Sequence, residues 1–542
     1  MEAEAVESGG PAPTLGANLV RLARTRWGLA VALAAFAWFV ATGLIGVDFG
    51  DHWDEPLALD LVNHTIGTGS FLPNEFYNYP SVTHWLSLLA VAPRVIARFG
   101  NGPPLSGDDF FITTRSLFIV VTGLGGLWLY FAGRRLFNEL AGGVAAAAYL
   151  LSWELAYHSR WIAPDAVAAQ FVALFLLAAV VASQRFDSAW RVQLPAAAAA
   201  AAAATKYFPG VLLLPALILV ARSRGPDDDW GKRLGRVGLS VGVFAAVFVV
   251  ITPGALFQNG AFVDDVRWEA EHYRTSHSEY FGTVHGGQIH DLTGGFFEYL
   301  GRLLDYLVFS MPSPSVIVSL VLVLVAGVGL VALWRRDRLL AVSLALTFGA
   351  TLLYFSTLKV FIVRNFLIFL PFLALLVGCG TAFIFQVVKP RAVALVAVGI
   401  VAALLLANGL YLLSAARSIA DEDRGSPVRL VAEYIDDHDD DRFVLSREVR
   451  RAFRADDRSI PENARAREPS PGDEYVFWYS QVEQISQTLT VWPTTKRDYY
   501  RDFGSLEVNF DYYPTWPGPD RIIVMTRDEL RDVGLTPGEL RF

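Results

Sequence analysis

Apolar runs of about twenty residues recur along the chain between short polar segments, and each is long enough to carry an α-helix across a hydrocarbon layer of about 30 Å. The pattern predicts spans near 27–47, 113–133, 140–157, 165–183, 192–205, 208–222, 236–254, 314–334, 339–357, 363–386 and 392–415. That reading counts the short pair on either side of Lys206 as two spans, which gives eleven. Ser81 to Phe99 is also apolar, but Pro93 interrupts it and Arg94 and Arg98 close it, so the pattern predicts a helix lying in the membrane interface.

Positive charge gives the sidedness, because cytoplasmic loops carry the excess of Arg and Lys. The clusters Arg21/Arg24/Arg26, Arg134/Arg135, Arg185/Arg191, Arg222 to Arg236, Arg335/Arg336/Arg338 and Lys389/Arg391 all fall on one side of the predicted spans. The first outer loop (48–112), the turn holding Asp165, the 255–313 loop, the Lys359 to Arg364 turn and the C-terminal segment are then outside. Residues 1–20 read as a disordered cytoplasmic leader, 21–416 as the transmembrane domain and 417–542 as an extracytoplasmic acidic α/β domain. In that last domain PVRLVAEYIDDH predicts a helix, while RFVLS, EYVFWYSQ, LTVWP and DRIIVMT predict strands.

Composition adds three points. Hydrophobic residues make up 53% and charged residues 18%, too apolar for a soluble chain of 542 residues. The formal charge of −8 lies wholly in the tail, where 26 Asp or Glu from Arg417 onward face 18 Lys or Arg. With only five Lys against 40 Arg, and runs such as Asp439-Asp440-Asp441, that surface suits high salt, although a GC-rich genome also favours Arg. The lone Cys379 forms no intrachain disulfide.

Candidate chemistry concentrates outside. His52-Trp53-Asp54-Glu55-Pro56 pairs two carboxylates, one able to act as a base while the other is held by partners. Tyr79-Pro80 follows in the same loop. His158-Ser159-Arg160-Trp161-Ile162-Ala163-Pro164-Asp165 sets a carboxylate at the start of a span. Lys206-Tyr207 and Arg364-Asn365 put cations at the mouths of others, and a charge so placed is a site candidate unless it snorkels to the interface. The His residues of the 255–313 loop match no zinc spacing, so no cofactor is indicated and a divalent metal remains open. Neither a P-loop nor a Rossmann fingerprint occurs, and nucleic acid is not an expected partner.

The order of HWDEP, YP, Arg115 with GRRLF, HSRWIAPD, ATKYFPG, ITP and VRNFLIFLPFLALLVG resembles the GT-C membrane glycosyltransferases, in the branch of protein O-mannosyltransferases and aminoarabinose transferases. The resemblance covers about residues 20–415, and the salt-adapted composition would fit a haloarchaeal member. It implies a polyprenyl- or dolichyl-phosphate sugar as donor and a protein, lipid or glycan acceptor. Asp54 is implied as the base, with Glu55 beside it and Asp165 as a second carboxylate. Lys206, Tyr207, Arg364 and Arg160 are implied at the carrier phosphate, with His52, Tyr79 and His158 in the substrate loop. Arg364-Asn365 departs from the Arg-Tyr of many relatives. No WWDYG-like motif is present, which argues against whole-glycan transfer to Asn. Two other readings remain, a lipid-linked sugar transporter or flippase and an envelope assembly protein.

Overall fold

The structure is a computed structural model that describes residues 26–48, 55–184, 190–222, 229–275, 289–292 and 294–420, with shorter stretches between 432 and 526. The predicted leader, His52 and Asp54 lie outside the described residues.

The chain begins with α1 (Trp27–Leu44), followed by α2 (Glu55–Thr68) in the first outer loop. The apolar stretch expected at the interface forms two short helices, α3 (Val82–Ala90) and α4 (Ala92–Arg98), broken at Val91 just before the proline. Next come α5 (Gly107–Leu136), α6 (Glu139–Leu150), α7 (Trp153–His158) and α8 (Pro164–Gln184). Two helices of ten residues, α9 (Leu194–Ala203) and α10 (Leu213–Arg222), flank the Lys206 turn. Beyond α11 (Trp230–Ile251), the 255–313 loop folds into α12 (Asn259–Thr275), strand β1 (Ile289–Asp291) and α13 (Gly295–Phe309). The remaining membrane helices are α14 (Val316–Arg336), α15 (Arg338–Ser356), α16 (Leu370–Val387) and α17 (Arg391–Ala420). Strand β2 (Val360–Ile362) and a 3-10 segment (Val363–Phe369) precede α16.

Among the described residues, eight helices are long and apolar enough to cross a membrane. Three of the eleven expected spans fall short of that. The 140–157 run breaks at Leu151-Ser152, and its second part begins where Trp153 donates to the Ser310 carbonyl at 2.7 Å. At 1.5 Å per residue, α9 and α10 are each about 15 Å long, half of what a bilayer asks.

Side-chain size sorts the helices by depth. The Ala-rich α8 is buried on nearly all sides, against α5, α9 and α16. By contrast, α11 carries Leu, Val and Phe and has only Ser240 buried, as a lipid-facing helix would. Close crossing of α14 and α16 depends on two glycines: a Cβ on Gly329 would stand 1.9 Å from the Leu376 carbonyl oxygen, and one on Gly380 2.1 Å from that of Val325.

In the tail, β3 (Phe443–Leu445) runs parallel to β4 (Glu474–Trp478), and β5 (Ile522–Thr526) pairs antiparallel on β4's other edge. Three of the predicted strands are thus present, and LTVWP lies outside the described residues.

Candidate active site

Glu55 opens α2 with its carboxylate fully buried. Arg115, on α5, meets it with two nitrogens: Nε donates to Oε1 at 2.8 Å and Nη2 donates to Oε2. The third, Nη1, donates to the Val47 carbonyl at 2.9 Å. The Ile162 amide adds a bond to Glu55 Oε1 at 3.0 Å. Glu55 therefore joins the start of α2, α5 and the loop before Asp165. So committed a carboxylate anchors these elements, whereas the sequence reading placed it among the catalytic groups. Only the pairing was hidden from sequence; an Arg that precedes an apolar run of a long helix is itself a signal.

Asp165, in the first turn of α8, is buried and faces two cations. Lys206 Nζ donates to its Oδ1 and, at 2.5 Å, to Asn365 Oδ1. Arg364 Nε stands 3.6 Å from Asp165 Oδ2, and its Nη2 donates to the Tyr79 hydroxyl at 3.3 Å. Asn365 Nδ2 donates to the Tyr273 hydroxyl at 3.2 Å, which brings α12 into the cluster. The Lys206 ammonium also lies 5.9 Å from the Tyr79 ring centre and 5.3 Å from that of Phe208. Lys206 is 4% exposed and Arg364 6%, so Lys206 does not snorkel. The turn at 204–207 and the 3-10 segment place these cations where α8 begins, and the fold thus gathers residues far apart in sequence.

Three other expected site residues have partners that the fold supplies. Arg160 turns inward, and its Nη2 donates to the carbonyls of Thr42 at 2.6 Å and Ile45 at 2.8 Å. The end of α1 leaves those carbonyls without helical donors, and the guanidinium satisfies them. His158 is fully buried with its Nε2 3.1 Å from a Glu154 oxygen, packed edge-on against Trp161. Tyr207 gives its hydroxyl to the Tyr77 carbonyl. Tyr79 lies at the cluster, where its hydroxyl accepts from Arg364 Nη2.

Residues 105–255 match the family described as dolichyl-phosphate-mannose-protein mannosyltransferase. With its long apolar helices, the chain is thus a multi-pass membrane glycosyltransferase. More narrowly, the matched stretch holds Arg115, Glu154, Asp165 and Lys206. No curated protein sequence matches the chain. Among solved structures, ArnT from Cupriavidus metallidurans bound to undecaprenyl phosphate is 15% identical, with a TM-score of 0.46 over 94% of this chain and 97% of that one. AglB from Archaeoglobus fulgidus, an oligosaccharyltransferase in complex with an inhibitory peptide and a dolichol-phosphate, is 13% identical, with a TM-score of 0.44 over 79% and 63%.

Proposed function

We propose that the protein transfers a sugar from a polyprenyl- or dolichyl-phosphate carrier to an extracytoplasmic acceptor. The observation that carries this reading is the buried cluster of Lys206, Arg364, Asp165 and Asn365, in which two cations face one carboxylate. An arriving phosphate would share those cations with Asp165, and charge-assisted hydrogen bonds of this kind are the strong ones. The carrier's tail has apolar surroundings available to it. A cavity of about 360 Å³ among α13 to α16 is lined by residues such as Leu304, Leu307, Phe348 and Phe372. Phe348 packs on Phe369, at the end of the 3-10 segment that holds Arg364.

In the reaction, an acceptor hydroxyl oxygen attacks the sugar C1 while the bond from C1 to the phosphate oxygen breaks. Configuration inverts, the lipid phosphate leaves with the bonding electrons, and the hydroxyl proton passes to a carboxylate. We assign that role to Asp54, the neighbour of Glu55. The clamp by Arg115 supports this: it commits Glu55 and fixes the chain one residue from Asp54. Lys206 and Arg364 would stabilise the departing phosphate, with Tyr79 beside them.

The test is transfer of labelled sugar from a polyprenyl-phosphate donor by the purified protein. Asp54→Asn keeps the shape and removes the base, so turnover should fall by about 10² to 10⁴. Near-normal turnover in that variant would remove Asp54 from the mechanism. No transfer by the wild-type protein from any such donor would remove the reading itself.

A further inference from the structure

The stretch before Pro80 reaches the cluster through Tyr79, yet it is fastened through Tyr77. That residue is fully buried, although its loop carries two non-glycine residues with positive φ, Asn74 at 39° and Glu75 at 59°. Backbone held this way persists only when its surroundings over-determine it. Here they do. The Tyr77 amide donates to Asp265 Oδ2 at 2.5 Å, its carbonyl accepts the Tyr207 hydroxyl, and its own hydroxyl donates to Gln258 Oε1. Phe262 packs edge-on against the ring with centroids 5.6 Å apart.

The receiving surface is cut to fit. A Cβ on Gly254 would stand 1.8 Å from the Tyr77 hydroxyl oxygen, so only glycine leaves room for the ring. Further along the same two segments, Trp85 Nε1 donates to the Ile251 carbonyl at 2.7 Å and the Ser81 amide to Thr252 Oγ1 at 3.5 Å. The run Ile251-Thr252-Pro253-Gly254, whose ITP motif counted in the sequence only toward the resemblance, is a socket for the first outer loop. Two residues beyond Tyr77, the Tyr79 hydroxyl accepts from Arg364.

We infer that Tyr77 is a positioning residue: it locks residues 71–81 to residues 251–265 and thereby sets where Tyr79 stands over Lys206 and Arg364. The two segments then move as one body. Donor binding must tolerate this roof or displace it whole. The structural part of this inference stands by itself, and its kinetic part rests on the transferase reading.

The test uses the full-length purified protein in four forms: wild type, Tyr77→Phe, Gln258→Met and the double variant. Hydrogen exchange followed by mass spectrometry reads the lock directly. Each single variant should speed exchange by about 10-fold in 71–81 and in 251–265 alike, the size expected for one lost hydrogen bond. The effect should reach 363–369 through Tyr79 and Arg364. Because both variants remove the same bond, the double should exchange no faster than either single. In transfer assays the donor KM should rise about 10-fold with kcat within about 3-fold, since the reacting groups are untouched. Gly254→Ala, which pushes Tyr77 out, should exceed both.

Additive effects in the double, or faster exchange confined to the mutated segment, would overturn the lock. Loosened outer segments with 363–369 at the wild-type rate would overturn positioning. Should the wild type transfer no sugar, the exchange results at 363–369 still decide the inference, and only the transferase reading falls.

Discussion

Arg115 reaches across from α5 to take both oxygens of Glu55, and neither side chain is more than 2% exposed. Removing one partner of such a pair leaves a buried charge without compensation, which costs about 3 to 5 kcal/mol. Arg115→Met and Glu55→Gln should therefore each lower the melting temperature of the purified protein, the first leaving the Glu55 carboxylate and the second the Arg115 guanidinium without its partner. Arg115→Lys keeps the charge and loses the fork, so the fold should survive while transfer falls by about 10-fold or more. A melting temperature for Arg115→Met within error of the wild type would mean that the anchor is not structural.

Lys206 and Asp165 make a second buried pair, with Asn365 and Arg364 around it. Lys206→Met should raise the donor concentration needed for half-maximal transfer and also destabilise the protein, because Asp165 then keeps only the longer contact to Arg364. Adding Asp165→Asn should recover part of that stability without recovering donor affinity, since coupled residues do not add. Thermal melts and donor titrations of the three variants separate the two effects. Full additivity in the melts would contradict the pairing.

How much of this was legible in sequence depends on who the partner of each polar residue is. Asp165, Lys206, Arg364 and Asn365 stood out as charged or polar groups at the ends of apolar runs, where few innocent positions exist. The fold then brought all four together. Arg160 and His158 stood out equally and turned inward, one to the carbonyls ending α1 and the other to Glu154. A cation near a helix end has two possible addressees, a substrate outside or a carbonyl within, and local sequence does not distinguish them. The break at Ser152 was hidden because Leu151 and Trp153 keep the run apolar through the bend. Pairings such as Glu55 with Arg115, sixty positions apart, belong to tertiary structure alone.

Acidification should act through Asp265. Burial is the largest cause that raises its pKa, with further increments from Asp264 and Glu269, while the bond from the Tyr77 amide works in the opposite direction. The net shift is upward, so ionisation is harder in the folded protein than in the unfolded chain. The stability that protonated Asp265 contributes is fully present below its unfolded pKa and is lost as pH rises through the folded one. Asp265→Asn should accordingly melt higher than the wild type at pH 7, and the gap should close as pH falls toward the carboxylate range. A gap that widens on acidification would reverse the sign.

Sidedness is open to a direct check. If the Arg and Lys clusters lie in the cytoplasm, the segment from Arg417 onward is outside, and protease added to intact cells should remove it. A tail protected until lysis would overturn the proposed topology and, with it, the outward placement of the cluster.

The strand β2 and the 3-10 segment that follows it act as a ruler. Antiparallel pairing of Val360–Ile362 with Ile289–Asp291 pins one end of the stretch, and the packing of α16 pins the other. Between them, seven residues in 3-10 form rise about 2.0 Å each and turn about 120°. One residue inserted there would swing Arg364 and Asn365 a third of a turn away from Lys206 and Asp165. Between Val360 and Leu370 length is therefore geometry: the number of peptide bonds itself sets the aim of the two side chains.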